Sequence, residues 1–464
     1  MRLVVQVTIH PDDTSAPTTV EVASLERSAL AVDTLGLHVA EAKEILAGVQ
    51  EAMVAEQAAA AVAALEHCDR CGRRYRHKDS RMIQVRSLFG TARLTSPRWC
   101  SCPCHPSDRA TFSPLAGLLP SRSTPELVYV ETQLAGLMSY RLASRVLGQL
   151  LPVGRRLHPW EAHRHVTAVA ERLDGELGPE RGCFIDDACR HLDLPRPDLP
   201  LVVGIDGGYV HSTEQISRRD GWFQAIVGTV SRADGTRTRF GFVPVHDTQP
   251  RRRLFEQLQA HGMQANQQVT FLTDGADDVR DLTMLMNENA EHVLDWFHVT
   301  MRLTVLRQIA KGLVGAVDEP DLARDVIAQL ERVKWFLWHG NVYRARQALD
   351  DVSFDLDTLE TTGTRAKLAK LVDEFDRYLA LNATSIPNYG ERHRAGEAIS
   401  SAMAESTVNE VISRRMVKKQ QMRWTPAGAH QVLQIRCRVL DNQLAADFQR
   451  WHPNLTLANA RAVA

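Results

Sequence analysis

The sequence predicts a mixed α/β protein built from several domains. Three observations predict it. Short apolar runs rich in β-branched residues end in acids, at Leu201 to Ile205 before Asp206, Gln268 to Thr273 before Asp274, and the run from His292 that contains Asp295. A cysteine cluster lies near the N-terminal side. Long stretches of helical periodicity occupy residues 37–66, 125–177 and 299–399.

A chain of 464 residues corresponds to about two to four domains. Its hydrophobic fraction of 44% is ordinary for a globular chain, and no apolar run reaches membrane-spanning length. The opening Met-Arg-Leu-Val-Val-Gln-Val alternates instead of forming a signal peptide, so a cytoplasmic protein with no membrane partner is expected. The net charge of −1 does not advertise a nucleic-acid binder, yet basic residues cluster locally. Five of the eight cysteines fall between 68 and 104, which in a cytosolic chain favours a metal over disulfides.

In chain order, residues 1–66 read as a hairpin and a long helix. Leu3, Val5, Val7 and Ile9 alternate, a Pro/Asp/Thr turn follows, and Val20 to Leu25 returns. Ile45, Leu46, Val49 and Met53 then recur at helical spacing; that helix either packs on its own domain or pairs with a partner chain. Residues 67–106 read as a zinc ribbon. Cys68-Asp-Arg-Cys71-Gly is a knuckle that aims two thiolates at one ion, and Cys102 and Cys104 supply the second pair, with Cys100 as a substitute. Short strands are expected between them, at Met82 to Arg86 and Thr91 to Thr95. Such an ion is structural, because no ligand position stays open. Cys183, Cys189 and Cys437 are isolated and read as inert.

Residues 105–122 read as a linker. Residues 120–180 form a helical region in which a helix, a tight turn at Ser139 and a second helix fit either a DNA-reading helix-turn-helix or a plain bundle. From 199 to 298 the expected order is three strands, a helix from Pro250, a strand, a helix over 277–288, and a strand. That is the order of an RNase H-like sheet, in which the first and fourth strands are adjacent and parallel, so Asp206 and Asp274 become neighbours on one rim. Residues 299–399 form a helical insertion, in which Trp335 and Trp338 lie about one turn apart on one face. They are either core or a stacking grip on DNA.

Residues 400–464 begin with a helix running to about Gln421. On a wheel of about 100° per residue, Val408, Ile412 and Met416 fall within about 60° of Glu405, whereas Glu410 falls about 140° away, on the solvated face. An acid on the buried stripe calls for a cation. No acid occurs from Val411 to Arg436, while Arg414, Arg415, Lys418, Lys419, Arg423 and Arg436 make a basic strip suited to phosphates.

Asp206, Asp274 and Glu405 thus form a three-carboxylate set of hard oxygen donors, which suits Mg²⁺ or Mn²⁺. Two such ions clamp an in-line phosphoryl displacement, with Asp206 bridging both and Asp274 and Glu405 each holding one. No Gly-rich phosphate loop between strand and helix is present. With Ile205-Asp206-Gly207-Gly208, Thr273-Asp274-Gly275-Ala276, Asp295-Trp-Phe-His298, Glu405-Ser-Thr-Val-Asn409 and Gln420-Gln-Met-Arg-Trp424, the chain resembles bacterial insertion-sequence transposases of the DDE class. Within that class it is similar to the Kra-type group, itself similar to Mutator-like enzymes. The resemblance implies an RNase H-like catalytic core interrupted by a helical insertion, cleavage at element ends, and strand transfer by a 3′-hydroxyl. It carries the catalytic acids onto Asp206, Asp274 and Glu405, and a supporting Asp-x-x-His onto Asp295 and His298. The triple Cys100/Cys102/Cys104 is denser than the family's paired form. Double-stranded DNA is the implied partner, a homodimer or larger assembly is expected because two ends must meet, and no small-molecule substrate is. Two other readings compete: an inactive relative acting as a zinc-ribbon DNA-binding regulator, and an RNase H-like nuclease without joining activity.

Overall fold

The structure is a computed structural model. It describes residues 1–10, 16–28, 30–104, 110–153, 158–188, 200–213, 221–314, 319–359, 362–401, 406–417 and 422–457. The chain forms a mixed α/β protein that divides into two compact units, Met1–Val169 with Asn442–Ala464, and Ala170–Asp441.

In the first unit, β1 (Arg2–Ile9) and β2 (Thr18–Glu26) pair antiparallel, as the alternating pattern predicts. The helix α1 (Val39–Ala64) turns Val54, Ala58 and Val62 onto a small core of Val85, Leu94 and Leu115. Val85 comes from β3 (His77–Ser87), Leu94 from β4 (Gly90–Cys100), and Leu115 from the short helix that follows them. The expected linker 105–122 is structured in part. Its β5 (Thr111–Phe112) pairs with Trp99 and Cys100, and α2 (Pro114–Leu118) starts on a Ser113 cap. Phe112 packs edge-on against Tyr75 and Trp99, and those distant aromatic partners hold a segment whose own sequence has no periodicity.

Helices α3 (Pro125–Leu137) and α4 (Tyr140–Leu150) flank Ser139, whose hydroxyl accepts the Leu142 N–H at 3.4 Å and starts the second helix. In α5 (Pro159–Gly175), His165 pairs with the buried Glu131 of α3. The chain end returns to this unit. Its final helix (Leu444–Trp451) sets Phe448 against Tyr129 at 5.4 Å, so residues expected to belong with the C-terminal catalytic helix are divided between the units.

The second unit is organised on a five-stranded sheet. After the short α6 (Ile185–Ala188) come β6 (Leu201–His211), β7 (Trp222–Ser231), β8 (Arg237–Phe242), β9 (Val269–Thr273) and β10 (Ala290–Leu294), in spatial order β10-β9-β6-β7-β8. The first three make an antiparallel meander, while β9 runs parallel to β6 and β10 parallel to β9. Helix α7 (Pro250–Ala260) covers one face, seating Leu254, Phe255 and Leu258 against Val203, Ile205, Val269 and Phe271. Helix α8 (Asp277–Thr283) adds Val279 and Leu282 to the same core.

The helical block comprises α9 (Trp296–Lys311), α10 (Pro320–Trp338), α11 (Val342–Thr358), α12 (Gly363–Leu381) and α13 (Tyr389–Arg394). Its core continues from Leu272, Val293 and Leu294 of the sheet. The α10 stripe Ala323, Val326, Leu330, Val333 and Leu337 shows the helical period that the sequence displays. The two tryptophans of α10 part company, contrary to the shared face expected. Trp338 packs on Trp296 at 5.1 Å, whereas Trp335 stays exposed, because the buried stripe passes close to Leu337 and leaves Trp335 on the far side.

Gly275, directly after Asp274, has φ +83°, and a Cβ there would lie 2.6 Å from Asn382 Oδ1 and 2.7 Å from Leu294 Cδ1. Only glycine fits this turn without strain. Gly275→Ala is expected to lower the unfolding free energy by about 2 kcal/mol, read as a drop in urea midpoint. An unchanged midpoint would contradict this turn.

Candidate acidic site and cysteine cluster

The sheet register brings three acids into line. Gly204 faces Leu272 across β6 and β9, and Thr273 faces Leu294 across β9 and β10. Continued past these last pairs, the same register sets Asp206 beside Asp274 and Asp274 beside Asp295. Neighbouring strands lie about 4.8 Å apart, so the acids share one rim.

Their environments differ. Asp206 is half-buried, and its Oδ1 accepts the Gly207 N–H at 2.7 Å. Burial pushes its carboxyl pKa up, and the charges of Asp274 and Asp295 add to that, against the Gly207 N–H and His298, which pull it down. Asp274 Oδ1 accepts the Ala276 N–H at 3.0 Å, and its carbonyl accepts Tyr378 Oη at 2.9 Å. Arg302 lies over the Tyr378 ring at 4.2 Å. Burial pushes the Tyr378 phenol well up, so it remains a donor.

Asp295 is fully buried and caps α9, accepting the Phe297 N–H at 2.8 Å and the Ser401 hydroxyl. Its Oδ2 stands 3.9 Å from His298 Nε2. Asp295 therefore organises the rim, and His298 faces it from the first turn of α9. Tyr378, Arg302 and Ser401 were not legible as site residues in the sequence. Tyr378 reaches Asp274 across 104 residues and Ser401 reaches Asp295 across 106, Arg302 touches the Tyr378 ring, and none belongs to a motif.

Glu405, Lys418 and Lys419 lie outside the described residues. The chain on either side of Glu405 is anchored: Ser401 binds Asp295, and Thr407 Oγ1 meets Thr229 Oγ1 of β7 at 2.7 Å. The segment Val408–Val417 is π-helical. It lies on β6, where a Cβ at Gly208 would meet Ile412 Cδ1 at 3.1 Å and Val408 Cγ1 at 3.3 Å. Ile412 and Met416 are buried as the wheel predicts, but the wider turn of a π-helix also buries Val411 and Arg415.

Three expectations for this segment are corrected. Glu410 is not simply solvated, since it pairs with Arg239 at 2.9 Å. Arg415 is 0% exposed and stacks over Trp424 at 5.0 Å, so it does not face a phosphate. Arg436 is buried and donates to the Val411 carbonyl at 2.8 Å. Guanidinium groups tolerate such sites because carbonyls and aromatic faces satisfy them. Arg414 and Arg423 remain exposed.

Cys68, Cys71, Cys102 and Cys104 converge, with all four sulfurs within 4.8 Å of one another. Cys68 and Cys104 are 3.4 Å apart, Cys71 and Cys102 3.5 Å. A tetrahedral Zn–S₄ centre with bonds of about 2.3 Å needs sulfurs about 3.8 Å apart, so the cluster could hold zinc. N–H groups of Cys71 and Arg70 hold the Cys68 thiol down at about 6, while the hydrogen bonds that the Cys104 S–H makes to the Cys102 and Cys68 sulfurs push Cys104 up. Four crowded sulfurs that cannot all ionise unaided favour a shared cation. Cys100 stands apart, accepting from Arg76 at 3.5 Å. Among the described residues this is the one set of three or more potential ligands so close together, and the acidic rim is more open. No helix of the described residues is long and apolar enough to cross a membrane.

Two outcomes follow from this geometry. Purified protein is expected to carry one zinc per chain by elemental analysis, lost in Cys68→Ser/Cys71→Ser. His292, between the acids on β10, bonds Thr273 Oγ1 and Ser385 Oγ at 2.7 Å each, and burial together with Arg280 lowers its pKa from 6.5 to about 4. A base depressed on folding contributes stability that is complete above its unfolded pKa and declines as pH falls towards the folded one. The urea midpoint is therefore expected to fall between pH 6.5 and about 4, and His292→Gln to flatten that window. No protein-family model matches the chain, and no curated protein matches it.

Proposed function

We propose that this chain is a DNA transposase of the DDE class that cuts element ends and joins them to target DNA. One observation carries the reading: the parallel register of β6 and β9, continued two residues past its last pair, brings Asp206 within β6 beside Asp274 at the end of β9, both half-buried and in each other's field. The strand order β10-β9-β6-β7-β8, with an antiparallel meander followed by two parallel strands, supports an RNase H-like core. The helical block between β10 and residue 400 supports an insertion before Glu405.

The residues present suit a hard divalent cation. Their donors are carboxylate oxygens, and burial first, with the charges of Asp274 and Asp295 added, disfavours the ionised Asp206, a cost that a cation would relieve. Bound Mg²⁺ or Mn²⁺ would supply charge stabilisation for an in-line phosphoryl displacement. Asp206, Asp274 and Glu405 would hold it, while Asp295 keeps His298 at the rim and Tyr378 steadies the Asp274 backbone. The cysteine cluster fits a structural zinc, because four thiolates leave no open position. Arg414 and Arg423 suit the DNA backbone. Pairing two element ends favours a dimer or larger assembly, acting in the cytoplasm on double-stranded DNA.

The test is nicking and strand transfer on oligonucleotides bearing the repeats that flank this reading frame, with Mg²⁺ present. Asp206→Asn, Asp274→Asn and Glu405→Gln are expected to lower cleavage by about 1,000-fold, the rate equivalent of several kcal/mol of charge stabilisation, without a change in melting temperature. Glu410→Gln is expected to keep cleavage and lose a little stability through Arg239. Equal cleavage by wild type and Asp206→Asn would remove the assignment. Cleavage without joining would instead identify a nuclease.

A further inference from the structure

Strand β6 pairs with β9 only over Leu201 to Gly204, then continues with β7 as a ribbon to His211 and Trp222. The two faces of that ribbon are unlike. On one, Gly208 lies under Val408 and Ile412, and Val210 is buried. On the other, Tyr209 is 64% exposed and Trp222 42%.

Register and alternation define this exposed face. Tyr209 faces Gln224, and His211 faces Trp222, with the His211 and Trp222 rings 3.4 Å apart. Along the opposite edge of β6, Trp424 bridges to Ser212 and its N–H donates to the His211 carbonyl at 2.8 Å. Trp424 is buried on the face of Ser212, so alternation turns the exposed Arg423 to the face of His211. Arg423, His211 and Trp222 thus form one lateral row, and Tyr209 and Gln224 form the next.

A large aromatic surface left in water beside a guanidinium is unusual where the opposite face already supplies the core contacts. Flat apolar rings suit the π-face of a nucleobase, and the cation at the end of the row suits the phosphate that follows it. Asp206 lies three residues before Tyr209, just past the point where β6 parts from β9. Alternation turns the Asp206 side chain to the Gly208 face, so a strand that meets both must round the free edge of β6 where β9 no longer pairs. We propose that Tyr209 and Trp222, flanked by Arg423, form a stacking platform for one or two unpaired bases of the DNA strand that passes the acids. The platform rests on the proposed function for its substrate but is tested separately.

The experiment measures binding of full-length protein to a fluorescent 12-nucleotide oligothymidine in EDTA, where cleavage is silent. Phe354→Ala, an exposed aromatic on α11, is expected to bind like wild type. Tyr209→Ala/Trp222→Ala is expected to bind roughly 10-fold or more weakly, the loss of at least one base stack. Trp222→Phe should restore most of the affinity, and all variants should melt at the wild-type temperature because these side chains lie outside the core. 5-Iododeoxyuridine in the oligonucleotide should photocrosslink to Tyr209 or Trp222, located by mass spectrometry. Wild-type affinity in the double variant, or crosslinks only elsewhere, would overturn the platform. Loss of nicking in wild type with platform binding intact would count against the transposase reading alone.

Discussion

The short parallel pairing of β6 with β9 is the contact on which the acidic rim depends. Four residue pairs, Leu201 with Val269 through Gly204 with Leu272, decide that Asp206 and Asp274 are neighbours. A slip of one residue would turn each side chain to the opposite face. The register is held from behind, because Val203, Val269 and Phe271 share one buried face with Leu254 and Phe255 of α7. Apolar packing on one side of the sheet thereby positions charge at its end.

The rim works against electrostatic repulsion, and the fold distributes that cost unevenly. Asp295 is committed to structure through the Phe297 N–H and the Ser401 hydroxyl, and it is fully buried. Asp206 and Asp274 each accept a neighbouring backbone N–H and keep oxygen facing the rim. Partial satisfaction of this kind stabilises a carboxylate without exhausting its lone pairs. Local cost at a site with global consistency elsewhere is the usual mark of a functional region.

The arginines of the C-terminal segment divide by environment. Arg415 and Arg436 are scaffolding, one under Trp424 and the other bound to backbone carbonyls of the segment it supports. Arg239 ties Glu410 and Asp441 together at 2.9 and 2.5 Å. Arg414 and Arg423 alone of the described members of the basic strip remain at the surface. A run of like charge in a sequence does not distinguish these roles, since burial of a guanidinium depends on partners from β8 and from beyond the segment.

Contiguous residues alone reveal the strands, the acids Asp274 and Asp295 that follow two of them, the Cys68/Cys71 and Cys102/Cys104 pairs, the helix start at Ser139, and the apolar stripe of α10, whereas the strand expected to stop at Asp206 runs on to His211 because β7 pairs with it that far. These are properties of contiguous residues: a period of two or 3.6, a cap, a knuckle spacing. Tertiary structure alone decided that Tyr378 and Ser401 serve the acids, that Arg415 is core, that Trp335 and Trp338 separate, and that Thr111–Phe112 becomes a strand. Each of those outcomes depends on a partner outside the helical or strand period, from Trp424 near Arg415 to Asp295, 106 residues from Ser401, and single-chain periodicity carries no record of which surface arrives.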